Sequence, residues 1–178
     1  DSPPHSALKL VEALIRVLKD ELIATIIGRF YAMDRNKFWD RTMLAYDAMV
    51  LGVGLKAKSP QAAITECYNR NQTDEFIPPY VMKRGKKTVS TIKDGDGIIF
   101  FNLRSDRARQ LTKAFVQEQF EKMNPGSFIR KKLLKNIFFV AMTGFGPDLE
   151  NVTTAYPADS LFDTLPMALR TFKQFYTA

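Results

Sequence analysis

The chain is poor in the residues that build metal and redox centres. It holds one cysteine, Cys67, and one histidine, His5, among 178 residues. A lone cysteine cannot close an intramolecular disulfide, so a reducing, cytoplasmic setting is expected. One of each also argues against a His/Cys metal site built within this chain. A carboxylate site for magnesium or manganese stays open on composition alone. Long apolar runs are missing as well. The longest, Ile137 to Met142, suits a buried strand and is far too short to cross a bilayer. No membrane partner is expected. Asp1-Ser2-Pro3-Pro4 lacks the basic region and apolar stretch of a signal peptide. It also lacks an initiator methionine, and the expectation drawn from this opening is a fragment or a processed chain.

What is present is ordinary globular material: 46% hydrophobic and 25% charged residues, enough for one domain with a real core. The formal net charge is +7. That excess favours anionic partners, whether phosphorylated metabolites, nucleic acid or an acidic protein face, and net charge does not choose among them.

The apolar pattern predicts helices alternating with short strands. Ser6 opens a helix with Leu8, Val11, Leu14, Ile15 and Leu18 at helical spacing. Leu22 to Ile27 reads as a buried strand ending at Gly28. A helix is expected from Lys37 to Leu51, stopped by Gly52, and another from Ser59-Pro60 to Asn69. Glu75 to Met82 is extended, Lys83 to Lys87 is a basic turn, and Val89 to Ile92 reads as a short strand. Asp94-Gly95-Asp96-Gly97 is a turn, and Ile98 to Asn102 a buried strand. A helix follows from Ser105 to Met123, with Leu111, Phe115 and Phe120 inward, then a third buried strand at Ile137 to Met142. The last helix is placed at Asp159 to Phe172, with a kink at Pro166. The fold class is therefore α/β: layered, with a largely parallel or mixed central sheet and helices on both faces.

Two arginine-bearing constellations stand out. Gly28-Arg29-Phe30-Tyr31-Ala32-Met33-Asp34-Arg35 leaves one predicted strand, and Asn102-Leu103-Arg104-Ser105-Asp106-Arg107-Ala108-Arg109 leaves another and opens a helix. Ligands of α/β sheets bind outside strand carboxyl ends, and paired guanidinium N–H groups suit phosphate or carboxylate oxygens. Arg104 and Arg107 flank a helix N-terminus, where cations are unfavourable unless an anion offsets them. Asp34 is placed to orient a guanidinium. The competing readings are a salt-bridged loop at the first constellation and, at the second, arginines pointing to water beside a plain cap at Ser105 or Asp106.

Other features read as structural. His5 is a surface residue near a helix start. Cys67 packs within a helix, and Trp39, Phe138 and Phe139 fill core. Asp94-Gly95-Asp96-Gly97 lacks the downstream ligands of a calcium loop. The basic runs at Lys83-Arg84-Gly85-Lys86-Lys87 and Arg130-Lys131-Lys132 read as solvated faces.

The first constellation, running on to Trp39-Asp40-Arg41, resembles a signature of cofactor-independent phosphoglycerate mutases. So does Asn102-Leu103-Arg104-Ser105-Asp106-Arg107-Ala108-Arg109-Gln110-Leu111. Thr73-Asp74-Glu75-Phe76 and Asp94-Gly95-Asp96 fall between them in the family's order, and Asp1-Ser2-Pro3-Pro4 looks like the end of its Gly-Arg-Asp-x-Pro-Pro segment. Asn36, Phe38 and Leu103 depart from the usual pattern.

The resemblance implies an isomerase of glycolysis and gluconeogenesis, interconverting 3-phosphoglycerate and 2-phosphoglycerate through a phosphoserine intermediate, with no requirement for 2,3-bisphosphoglycerate. It implies that residues 1–178 are the substrate-binding phosphotransferase domain. Two divalent metals, manganese or magnesium, and the nucleophile would belong to a phosphatase-like domain of the parent chain. By the same resemblance Asp1, Arg29, Arg35, Arg104, Ser105, Asp106 and Arg107 bind substrate, no catalytic or metal-ligating residue lies in this chain, and the isolated chain is inactive. The alternatives are a basic nucleic-acid-binding domain or a non-catalytic interaction domain; nucleic acid is not the expected partner.

Overall fold

The computed structural model describes residues 2–149 and 151–157. The helix expected at Asp159 to Phe172 lies outside the described residues.

Helix α1 (Ala7–Val17) begins after Ser6. Its first turn is capped not by Ser6 but by Asp74, whose Oδ2 accepts the backbone N–H groups of Ser6 and Ala7, each at 2.9 Å. A carboxylate there satisfies otherwise orphan donors and complements the helix dipole. Strand β1 is only Thr25–Ile26 and is half-buried, shorter than the expected run, because Leu22 is exposed ahead of it. Next come a single turn, α2 (Arg29–Ala32), and the long helix α3 (Trp39–Leu51). Gly52 ends α3 in the left-handed conformation, at φ 66°, which glycine adopts without a Cβ penalty. Strand β2 (Leu55–Ala57) leads to α4 (Pro60–Asn69), where Ser59 Oγ accepts from Ala62 N and Pro60 takes the first turn, as its sequence requires.

Strands β3 (Tyr80–Arg84) and β4 (Lys87–Thr88) form a hairpin turning at Gly85. In this sheet β3 is central, with β1 antiparallel on one side and β2 parallel on the other. Tyr80 and Met82 join Ile64 and Cys67 in a core beneath α4, while Val81 alternates to the side where α3 crosses β3.

A second sheet holds β5 (Gly97–Phe100), β6 (Phe138–Ala141) and β7 (Val152–Thr154), all parallel, with β6 central. Helix α5 (Ser105–Val116) follows β5, and a short turn, α6 (Phe120–Met123), follows α5. The expected single helix thus breaks at Gln117, yet Leu111, Phe115 and Phe120 are all buried. They pack with Trp39, Tyr46 and Phe139 into the main core between α3, α5 and this sheet.

Two strand expectations change. Ile98 to Asn102 and Ile137 to Met142 are covered on one face only among the described residues. Ile99 and Phe138 alternate to the other face and are 69% and 62% exposed. Phe138 is therefore not core, whereas Phe139 is. The architecture is mixed α/β, with its strands divided between two sheets. Among the described residues no helix is long and apolar enough to cross a membrane.

Candidate anion-binding site

The first arginine motif starts at Gly28, which is pressed against another segment. Gly28 N donates to Ile77 O at 2.8 Å, and a Cβ on Gly28 would sit 2.4 Å from Glu75 O. Only glycine fits. Arg29 then opens α2, and its Nη2 bonds Glu75 Oε2 at 2.9 Å. The 74–75 pair thus brackets both ends of this region: Asp74 caps α1, and Glu75 engages Arg29. A cleft of about 770 Å³ opens here, lined by Arg29, Glu75 and the Ser2-Pro3-Pro4 segment among others.

Asp34 is buried and accepts four hydrogen bonds. Its Oδ2 takes the backbone N–H groups of Asn36 and Phe38 and the Nε2 of Gln110; its Oδ1 takes Nη1 of Arg41. The chain from 34 to 38 therefore folds around its own carboxylate and delivers α3. Arg41 lies over the rings of Phe30 and Phe38, 3.7 and 4.2 Å from their centroids. The guanidinium that Asp34 orients is thus Arg41, which braces the loop and leaves Arg35 pointing out.

The second motif follows β5. Arg104 occupies the N-cap position of α5 and makes no side-chain cap bond. Its side chain turns to Asp106 instead: Nε donates to Oδ1 at 2.7 Å and Nη2 to Oδ2 at 3.3 Å. Arg35, from the other motif, donates Nη1 to Oδ2 of the same Asp106 at 2.6 Å. Arg107 reaches across to Met33 O at 3.2 Å. Arg35, Arg104, Asp106 and Arg107 are thus brought together, with Ser105 exposed beside them on the first turn of α5. Arg29 opens α2, six residues ahead of Arg35, and pairs with Glu75. Asp1 lies outside the described residues.

Two guanidiniums share the Asp106 carboxylate and a third, Arg107, lies on the Met33 carbonyl, so the cluster carries surplus positive charge at the N-terminus of a twelve-residue helix. The Arg104 hydrogen bond, then that of Arg35, holds Asp106 down to about 2, so it stays ionised throughout the physiological range. Arg35 and Arg104 are 44% and 60% exposed in their side chains. Each guanidinium carries five donors, and Asp106 takes only one or two of them. An incoming phosphate or carboxylate can bind the rest.

The convergence does not arise as the strand pattern implies. β1 is antiparallel to β3, and β1 and β5 belong to different sheets. The motifs meet because α3 and α5 pack together and carry their leading loops side by side. Sequence reasoning missed Gln110, the buried link between the motifs. Its place one turn beyond Asp106 on α5 is the signal that would have found it. It also missed Arg130, read as part of a solvated run. Its side chain is 2% exposed and donates to Ala114 O, Gln117 O, Glu118 O and Glu121, closing the C-terminal end of α5.

A mixed α/β module with an arginine cluster at a helix N-terminus has, by class, the donor chemistry that suits small charged anions. The chain belongs to the family described as the BPG-independent PGAM N-terminus, whose model matches residues 1–147. It is 45% identical over 167 residues to a 2,3-bisphosphoglycerate-independent phosphoglycerate mutase of Acetivibrio thermocellus, covering 92% of this chain and 32% of that protein. A second relative, 2,3-bisphosphoglycerate-independent phosphoglycerate mutase 1 of Methanosarcina acetivorans, is 45% identical over 170 residues, with 93% and 32% covered. Among solved structures, Leishmania mexicana phosphoglycerate mutase at low cobalt concentration superposes with a TM-score of 0.79 at 25% identity, over 96% of this chain and 32% of that one. The chain spans about a third of the length of the relatives it matches.

Proposed function

We propose that residues 1–178 are the substrate-gripping phosphotransferase part of a phosphoglycerate mutase that needs no 2,3-bisphosphoglycerate. The parent interconverts 3-phosphoglycerate and 2-phosphoglycerate, a step of glycolysis and gluconeogenesis, in the cytoplasm. The observation that carries this reading is the meeting of Arg35 with Arg104 on one carboxylate, Asp106, while Arg107 holds the backbone of the first motif.

In this reading the phosphoryl group passes to a serine of the phosphatase-like domain and returns to the other hydroxyl of the same glycerate. Between the two transfers the glycerate must not escape, or the outcome is hydrolysis. Arg29, Arg35, Arg104 and Arg107 supply the hold through charge-assisted hydrogen bonds, and the helix N-terminus at Ser105 adds backbone donors. Asp106 keeps the guanidiniums spread and aimed before substrate arrives, which lowers the ordering cost of binding. Asp1 belongs to the same grip, a role supported by the cleft that Ser2-Pro3-Pro4 shares with Arg29.

Among the described residues no three metal-ligating side chains gather. The described residues do not fit a two-metal site. The two divalent ions, manganese or magnesium, belong in this reading to the phosphatase-like domain, and the isolated chain turns over no substrate.

The test is a thermal-shift titration with 3-phosphoglycerate. A ligand bound only by the folded state raises the melting temperature progressively with its concentration. A rise that vanishes in Arg104→Ala and Arg107→Ala supports the assignment. An unmoved melting temperature at saturating ligand overturns it.

A further inference from the structure

The two arginine motifs are far apart in the chain and sit on different sheets, so something must fix their separation. Arg35–Asp106 orients the side chains but does not fix the backbone separation of the motifs, because that pair is exposed. The buried connection is Gln110. Its carboxamide is fully engaged: Nε2 donates to Asp34 Oδ2 at 2.9 Å and to Thr42 Oγ1 at 2.7 Å, and Oε1 accepts from Lys37 N at 2.9 Å. Gln110 and Asp34 are each 5% exposed and Thr42 is 1% exposed. Lys37 has a left-handed backbone, φ 63°, which a lysine adopts only when its surroundings impose it. Gln110 supplies one such restraint by holding the Lys37 N–H. Arg35 lies directly between Asp34, which Gln110 holds, and Asn36, whose N–H bonds Asp34. On α5, Gln110 is one turn beyond Asp106 and three residues beyond Arg107, on the same face of the helix.

We infer that Gln110 is a positioning residue that sets the distance between Arg35 on one motif and Arg104 and Arg107 on the other. This inference rests on the proposed function, in which the ligand carries two anionic groups, a phosphate and a carboxylate. A ligand with two such groups needs guanidiniums at a fixed separation, whereas a ligand with one needs only a nearby guanidinium. The ratio of the two affinities therefore reads the spacing.

The experiment is an NMR titration of the full chain with 3-phosphoglycerate and, separately, with inorganic phosphate. Gln110→Met keeps the size of the side chain but removes its three hydrogen bonds. It is expected to weaken 3-phosphoglycerate about tenfold while inorganic phosphate changes less than about threefold. Thr42→Val removes a single hydroxyl partner and serves if Gln110→Met does not fold; it shifts the same ratio in the same direction by about threefold. An equal loss for both ligands, or none, overturns the positioning role. Wild-type chain that ignores 3-phosphoglycerate overturns the proposed function together with this inference. Wild-type binding with an unaltered ratio in the variants overturns this inference alone.

Discussion

Nη1 of Arg35 lies 2.6 Å from Oδ2 of Asp106, a pairing that spans 71 residues of chain and joins two motifs from separate sheets. Asp106 also holds Arg104, so one carboxylate gathers guanidiniums from both motifs. An exposed ion pair of this kind contributes little to stability, typically below about 1 kcal/mol. Its consequence lies in what it prepares: two guanidiniums held side by side, with donors to spare, at a helix N-terminus.

Removing these arginines should therefore separate binding from folding. Arg35→Ala, Arg104→Ala and Arg107→Ala are each expected to weaken 3-phosphoglycerate by about ten- to a hundredfold, the loss of one charge-assisted hydrogen bond at about 1.5–3 kcal/mol. Urea unfolding should place the Arg35 and Arg104 variants within about 1 kcal/mol of wild type. Calorimetric titration alongside the unfolding curves checks both halves.

Arg130 should show the opposite behaviour. Its buried guanidinium satisfies the carbonyls at the end of α5 through both Nη atoms, while Nε donates to the Glu121 carboxylate. Arg130→Met leaves those carbonyls unpaired and is expected to cost about 2–4 kcal/mol in urea unfolding. Arg130→Lys should rescue little, because an ammonium cannot span the same fork of acceptors.

The partner of Arg130 predicts a pH dependence. The Arg130 hydrogen bond is the main cause that holds Glu121 down to about 2, below its ordinary value of 4.5. A carboxyl group whose folded pKa is depressed stabilises the fold fully above its unfolded pKa. That contribution is lost as pH falls through the folded one. Stability should thus decline between about pH 4.5 and pH 2. Glu121→Gln is expected to flatten that acid limb in melts recorded across the range, while lowering stability at pH 7.

Gly28 is predicted to tolerate no side chain. A Cβ there meets the backbone of Glu75, Ile77 and Asp74 at 2.4, 2.7 and 2.9 Å, and backbone cannot swing aside. Gly28→Ala should cost about 1–3 kcal/mol through overpacking. It should also weaken 3-phosphoglycerate, since the two segments forced apart carry Arg29 and its partner Glu75. A melting curve and a binding isotherm on the same preparation test this.

Local signals in the sequence located most helices correctly. Ser59-Pro60 and Gly52 fall where capping chemistry requires, and Leu111 and Phe115 face inward as their spacing demands. Both arginine motifs were visible, because each leaves a strand and carries its guanidiniums in a short run. Pairing was not legible. The antiparallel setting of β1, and the division of the strands between two sheets, depend on contacts that period and composition do not encode. Nor was Arg130 legible as a buried cap. Beside Lys131 and Lys132 it looks like surface charge, and only the fold shows the end of α5 waiting for it. The capping of α1 by Asp74 was hidden likewise, since Ser6 offered a local alternative.

The central claim is that guanidiniums of both motifs bind one phosphorylated acid together. Arginine Nε–Hε NMR resonances, followed during titration with 3-phosphoglycerate, address it directly. The account predicts that Arg35, Arg104 and Arg107 shift together and fit one dissociation constant. Unmoved signals for these three, or shifts confined to the Arg84 hairpin and the other surface cations, would contradict it.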